Sequence, residues 1–488
     1  MDFTVPRKYS LLCISPLDGR YRSNLEVLSK YFSEYALIRE RVKVELQYLK
    51  ELSRLEEFPL DLRDEGLPPI YENFTIEDAL TVVQIEKDGY KDIPATNHDV
   101  KAVEYFLRDR LEQEDIRGVS PYIHFGLTSE DVNNLAYGRL IRQAIANPLG
   151  NQLKTLVQQL KRTAELNSDQ PMLARTHGQP ATPTTLGKEF SVYLNRLLDQ
   201  VTQLFTQNNS IQGKLCGASG NLNAHYIAYP EIDWVEFSRD FVSSLGLVPN
   251  TSVTQIKPRD DISSLLQSLV RINNILLDLA VDTWTYISMG YIGQKREEGE
   301  VGSSTMPHKL NPIDFENAEG NLNKANSDLN FLADHLTKSR LQRDLSDSTV
   351  MRNIGVSIAH SLLGYSRLNR GIKKLSPRSS AIEEDLEKHS EILTEAWQTL
   401  LRKSNHEDAY ELVKERTRGE SLNKEDLLDV LEELPIPEEE KAKLRELDPS
   451  TYLGYAGRLT DDVTEEAGEF LENWDRIKSG ATDPVSTA

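Results

Sequence analysis

A chain of 488 residues with 39% hydrophobic content is too long for one small core, and predicts two or three domains with ample apolar surface to bury. Its 56 basic and 77 acidic side chains leave a net charge of −21, which argues against a nucleic-acid surface and requires any anionic ligand to be met by locally clustered cations. No apolar run approaches membrane length, no charged n-region precedes an apolar h-region, and Cys13 and Cys216 are too few for a disulfide framework or a zinc site, so a reducing cytosol is expected.

In chain order, Ser15-Pro16-Leu17-Asp18-Gly19-Arg20-Tyr21 is turn-rich and sets an Arg beside a Tyr. From Ser33 to Phe58 the steps Ile38, Val42, Leu46, Leu49 and Ser53 predict a helix. Three prolines and a glycine in 59–76 read as a connector, and a second helix is predicted from Ile76 to about Lys87. Thr96 or Asn97 is expected to cap a helix with Val100, Val103, Phe106 and Leu107 on its apolar face, which puts His98 in the first turn. Thr128 and Ser129, just before Glu130-Asp131, form a cap opening a helix to about Ala146. Hydroxyls and free N–H groups at such a start are a ready carboxylate site.

Helices are predicted over 148–168 and 186–208, separated by a rigid, proline-bounded loop, Leu173–Pro183, around His177. Gly217–His225 is a Gly/Asn loop, and Gln255 precedes Lys257-Pro258. The clearest helix covers 260–289, about 45 Å long at 1.5 Å per residue, with an apolar face wide enough to want partners on several sides. Such a helix suits a bundle shared between subunits.

Residues 299–321 pack serines, carboxylates, His308, Lys309 and Asn311 between glycines and prolines. Gly299 and Gly302 loosen the backbone before Ser303 and Ser304, Pro307 and Pro312 stiffen the far side, and Ile313–Glu316 reads as a first helical turn. Long helices are predicted over 314–337 and 347–370, and the Arg340–Arg352 cluster between them suits a phosphate, because the planar guanidinium donates in a fork. After about Lys373, shorter amphipathic helices alternate with breaks at Pro377, Gly419, Pro435, Pro437 and Pro449, and the stretch after Ser479 is expected to be disordered. No strand with two-residue alternation persists, so the predicted fold class is all-α.

The run Gly302-Ser303-Ser304-x-Met306-Pro307-x-Lys309-x-Asn311-Pro312 resembles the signature of the fumarase/aspartase superfamily, lyases that eliminate fumarate from a succinyl group. Thr305 and His308 inside it resemble the adenylosuccinate lyase branch. Further segments are similar in the same order: Ser15–Tyr21, Thr96–Ala102, Thr128–Asn134, the Thr176-His177-Gly178 loop, Gly217–His225 and Gln342–Arg352. A weaker likeness continues at Thr417-Arg418-Gly419 and Pro437–Ala442, and Leu310 stands where Val is commoner.

The resemblance implies three helical domains, 1–117, 118–372 with the signature loop 299–312, and 373–488, with the central long-helix bundle shared in a homotetramer. It implies a cofactor-free, metal-free β-elimination of fumarate from two succinyl-purine nucleotides, adenylosuccinate (to AMP) and SAICAR (to AICAR), in the cytoplasm, with no nucleic-acid or membrane partner. By the same resemblance Ser303 is the base, His177 the general acid and Glu316 the group that orients the imidazole. The choice of Ser303 over Ser304 comes from resemblance alone. Arg20, Tyr21, Arg343, Ser348, Thr349 and Arg352 are implied on the phosphate side. Asn97, His98, Asp99 and Gln255 are implied in substrate binding, and Thr128, Ser129, Lys309 and Asn311 at the developing carboxylate charge. The set Arg20, Arg343 and Arg352 argues against an argininosuccinate lyase, and the intact Ser303, His177 and Lys309 argue against a catalytically silent homologue of the crystallin type.

Overall fold

The helix Asp260–Ser288 is the longest in the described residues and one wall of the main helical bundle. The structure, a computed structural model, describes residues 7–60, 62, 67–116, 118–295, 306, 309–417 and 424–480. In chain order its main elements are α1 (Glu34–Leu52), α2 (Ile76–Lys87), α3 (Asp99–Gln113), α4 (Ser129–Ala144), α5 (Gly150–Glu165), β1 (Pro171–Thr176), β2 (Gln179–Thr185), α6 (Leu186–Asn209), α7 (Asp260–Ser288), α8 (Ile313–His335), α9 (Ile354–Lys373) and α10 (Ala456–Glu472). Helices dominate, as expected of an all-α fold.

Helix α7 lies between α6 and α8, α8 packs on α9, α9 on α5, and α5 on α6, so five long helices close a ring around one core. Leu265, Leu269, Ile272, Leu276 and Leu279 of α7 are fully buried in it, because apolar residues recur at helical spacing on more than one face. At its centre Asn273 donates to Asn326 (2.9 Å) and Ser361 (3.1 Å) and accepts from the Tyr365 hydroxyl (2.7 Å), a closed polar network that ties α7 to α8 and α9. By length and composition α7 is, among the described residues, the one helix long and apolar enough to cross a membrane. Its apolar stretch is 56% buried in this bundle, which is how a core helix behaves.

The described residues between 373 and 480 divide among three cores, with Leu386 and Ile392 packing on Leu173 in one of them. Trp397, Leu401, Leu427, Leu431 and Leu444 form a separate small one. Helix α10 returns to lie on α5 and α6, and Ala467 and Trp474 join the main core. Residues 34–111 also share that main core through Val42, Leu49, Val103 and Phe106.

The segment around His177 is not a plain loop. Strands β1 and β2 pair antiparallel, with Thr176 opposite Gln179, and the two-residue turn His177-Gly178 has positive φ at both positions (54° and 74°). That is the requirement of the hairpin turn whose twist matches its strands. Pro180 and Pro183 in β2 carry no donor and hide the strand signal, which is tolerable in a two-stranded ribbon with free edges.

Asp131, in the first turn of α4, is the junction of the site region. It is fully buried, accepts from the Thr128 amide (2.9 Å) as an N-terminal cap, pairs with the equally buried Lys214 (2.8 Å), and accepts from the amides of Cys216 and Gly217. The Gly/Asn loop is thereby fastened to the start of α4. His225 at its end is buried beneath Gly126, where a Cβ would lie 2.6 Å from the ring. The Tyr48 hydroxyl donates to the Phe125 carbonyl (2.8 Å), so it accepts from His225 Nε2 (3.0 Å), leaving Nδ1 without a partner among the described residues. Burial, only partly offset by Asp131, lowers the His225 pKa to about 4.

Candidate active site

Segments far apart in the sequence converge on one cleft of about 670 Å³. Asn97, His98 and Asp99 enter from the start of α3, Ser129 from the start of α4, and Gln255 from the loop before α7. Arg343, Ser348, Thr349 and Arg352 enter from the segment between α8 and α9. The cap of α3 differs from expectation: neither Thr96 nor Asn97 caps the helix. His98 does, its Nδ1 accepting the Lys101 amide (3.3 Å), while Asn97 sits in the left-handed region with φ 47°. His98 therefore precedes the first turn, and Nδ1 is the unprotonated nitrogen.

Asp99 is held from two sides. Arg41 Nη2 lies 2.7 Å and Arg352 Nη2 3.2 Å from the same oxygen, Oδ2, and Oδ1 accepts the Val100 amide (2.9 Å). Burial works to raise the Asp99 pKa, but Arg41, the amide and Arg352 together hold it below the usual carboxylate range. Beside it, Arg259 is fully buried and bridges Glu130 (2.7 Å) and Asp347 (3.0 Å), which locks α4 to the arginine-rich segment. Burial raises the Glu130 pKa, against the pull of Arg259. Arg343 donates to Gln255 Oε1 (3.3 Å) and Ser348 Oγ (3.1 Å), and Gln255 donates on to the Ala218 carbonyl (2.9 Å). Arg343, Gln255 and Ser348 thus form one connected set, whereas Arg20 and Tyr21, expected at the same phosphate, line another cleft.

A second cleft, of about 850 Å³, holds Arg20 and Tyr21 with Ile313, Asn317 and Arg367. Asn317 Nδ2 lies 3.4 Å from the Tyr21 hydroxyl. The first turn of α8 is pinned by the buried Asp314, which pairs with Arg370 (3.1 Å) and Lys374 (3.2 Å) of the α9 end. Glu316, exposed on that turn, accepts from Trp284 Nε1 (3.1 Å). Lys309 is exposed and Asn311 partly buried just before it. Ser303, Ser304, Thr305 and His308 lie outside the described residues. His177 is exposed at the tip of the β1–β2 hairpin and makes no hydrogen bond to Glu316 within the chain.

The family model described as lyase matches residues 19–325, and that of the adenylosuccinate lyase C-terminal region matches residues 339–453. An adenylosuccinate lyase of Legionella pneumophila (strain Corby) is 46% identical over 456 residues, covering 92% of this chain and 98% of its own. Those of Dictyostelium discoideum (46%, 91% and 97%) and Escherichia coli K12 (43%, 93% and 99%) match over nearly the same extent. The chain belongs to the adenylosuccinate lyase family.

The family fold extends to more distant structures. A fumarate lyase from Mesorhizobium sp. BNC1 superposes with a TM-score of 0.67 at 19% identity, covering 90% of this chain and 97% of its own. A 3-carboxy-cis,cis-muconate lactonizing enzyme from Pseudomonas putida gives the same TM-score and identity. In this family member several cleft residues escaped sequence reasoning, among them Asn317, Arg367, Arg41 and Arg259. Asn317 stands one helical turn beyond Ile313, where a helix directly after the motif presents its next side chain to the same cleft. Arg41 interrupts the apolar stripe of α1 between Ile38 and Val42, and a charge in such a position is a signal that something buried pairs with it.

Proposed function

We propose that this chain eliminates fumarate from adenylosuccinate, leaving AMP, and from SAICAR, leaving AICAR, without a cofactor. The observation that carries the reading is the convergence of Asn97–Asp99, Ser129, Gln255 and Arg343–Arg352 on one cleft, in a chain 46% identical to named adenylosuccinate lyases over their length. In a chain of net charge −21 this cleft is locally balanced, with Arg41, Arg259, Arg343 and Arg352 set against Glu86, Asp99, Glu130 and Asp344, so an anionic nucleotide meets arginines there that the rest of the surface does not offer.

In this reading Ser303 takes the proton from the carbon beside the fumarate-to-be carboxylate. The electron pair forms the new double bond as the carbon–nitrogen bond breaks, and His177 protonates the departing purine amine. Lys309, Asn311 and the Thr128/Ser129 turn stabilise the doubly charged carboxylate that develops. Lys309 and closure of the site let a hydroxyl serve as base. Arg343, Ser348, Thr349 and Arg352 take the phosphate together with Arg20 and Tyr21, which line the second cleft and reach it from another copy of the chain; Asn97, His98, Asp99 and Gln255 take the rest of the nucleotide, and Glu316 orients the imidazole. His177 and Glu316 are both exposed and unjoined within one chain, which supports a site completed by other copies in a homotetramer. The two free cysteines, Cys13 and Cys216, support a cytoplasmic location.

One assay tests the function: loss of the succinyl-purine absorbance on adding adenylosuccinate, with fumarate and AMP formed in equal amounts. A folded protein that releases neither overturns the reading.

A further inference from the structure

Arg352 is half-exposed and already paired twice, to Glu34 of α1 at 2.7 Å and to Asp99 of α3 at 3.2 Å. An incoming anion must take this guanidinium from two carboxylates. Arg41, 2% exposed, makes the closer contact to the same Asp99 oxygen (2.7 Å) and anchors its own Nε on Asn133 of α4 (2.8 Å). Its remaining nitrogen, Nη1, is buried with no hydrogen-bond partner among the described residues. A buried arginine with an unused donor is poorly placed as a mere fold stabiliser, since each unpaired donor costs free energy.

We propose that Arg41 is a positioning residue that keeps Asp99 neutralised when Arg352 leaves it, so that Arg352 exchanges its carboxylate partners for the phosphate of the substrate. The inference rests on the nucleotide reading given above. Electrostatics supplies the reason. If Arg352 were the sole partner of Asp99, moving it to a phosphate would strand a carboxylate in a partly desolvated wall, next to the new anion. Because Arg41 and Arg352 share Oδ2, the charge of Asp99 stays compensated by a group that cannot itself move far: Arg41 is enclosed, and fixed at both Asn133 and Asp99. Glu34, exposed in the first turn of α1, is then a pure competitor for Arg352.

Substitutions at the two ends of this pairing have opposite signs. Arg41→Met should raise KM for adenylosuccinate about tenfold or more while kcat stays within about threefold, because binding and not chemistry loses. Arg41→Lys, which restores the charge beside Asp99, should bring KM back to within about threefold of wild type. Glu34→Gln should lower KM about two- to fivefold, a gain that loss of a structural contact would not give. A KM in Arg41→Met equal to wild type, an Arg41→Lys as impaired as Arg41→Met, or a raised KM in Glu34→Gln overturns the proposal. Should Arg41→Met not fold by circular dichroism, the other two variants decide. A wild-type protein that leaves adenylosuccinate uncleaved sinks the functional reading and this inference with it, whereas an active wild type with the wrong variant pattern sinks the inference alone.

Discussion

Arg259 and Glu130, 129 residues apart in the sequence, meet at 2.7 Å with both side chains buried, and Asp347 completes the cluster from a third segment. Three stretches that bring substrate-type residues to the cleft are therefore held by one guanidinium. Arg259→Met should cost about 3–5 kcal/mol of folding stability, because it leaves two carboxylates buried without their partner. Denaturant titration of the variant checks this, and a loss under about 1 kcal/mol would show that the cluster holds nothing.

Ser303→Ala should lower kcat by about 10²–10⁴ and leave adenylosuccinate binding near wild type, because a base acts only as the proton moves. Single-turnover kinetics with equilibrium binding separates the two. A variant with near-normal kcat removes Ser303 from the mechanism.

Arg343→Ala and Arg352→Ala should each weaken nucleotide binding by about 10- to 150-fold, the equivalent of one charge-assisted hydrogen bond of about 1.5–3 kcal/mol. Arg343 also orients Gln255 and Ser348, so its loss should be the larger. Calorimetric titration with AMP measures both; an unchanged dissociation constant would reassign the phosphate.

His225 sets a pH limit on stability. Its folded pKa, about 4, lies below its ordinary 6.5, so between those values the unfolded chain binds a proton that the native ring refuses. Its contribution is full above about pH 6.5 and is lost as pH falls towards 4, by about 3 kcal/mol in all at 1.36 kcal/mol per pKa unit. His225→Phe should flatten the slope of unfolding free energy between pH 7 and pH 5. An unaltered slope would mean that the ring is protonated in the native state.

Mixing inactive His177→Ala and Ser303→Ala proteins under conditions of subunit exchange should restore activity to roughly a quarter of the sites, if each site draws these residues from different chains. A mixture that exchanges subunits yet stays dead would place both residues in one chain.

What the sequence determined by itself is local. Helical periodicity marked α2 from Ile76 to Lys87 and α7 to within a residue of its end, because side chains three and four apart face the same way whatever lies beyond. Thr128 with Asp131 was legible as a cap for the same reason, and the signature segments were legible as motifs. Tertiary structure decided the rest. The cap of α3 passed to His98, the proline-rich stretch at His177 closed into a hairpin, and α10 returned to the main bundle instead of staying with the small C-terminal core. Arg41 could be seen as an odd charge on an apolar stripe, but not that Asp99, 58 residues on, would share one oxygen between it and Arg352. Such pairings depend on which helix faces meet, and that is settled by packing the whole core, not by any window of sequence.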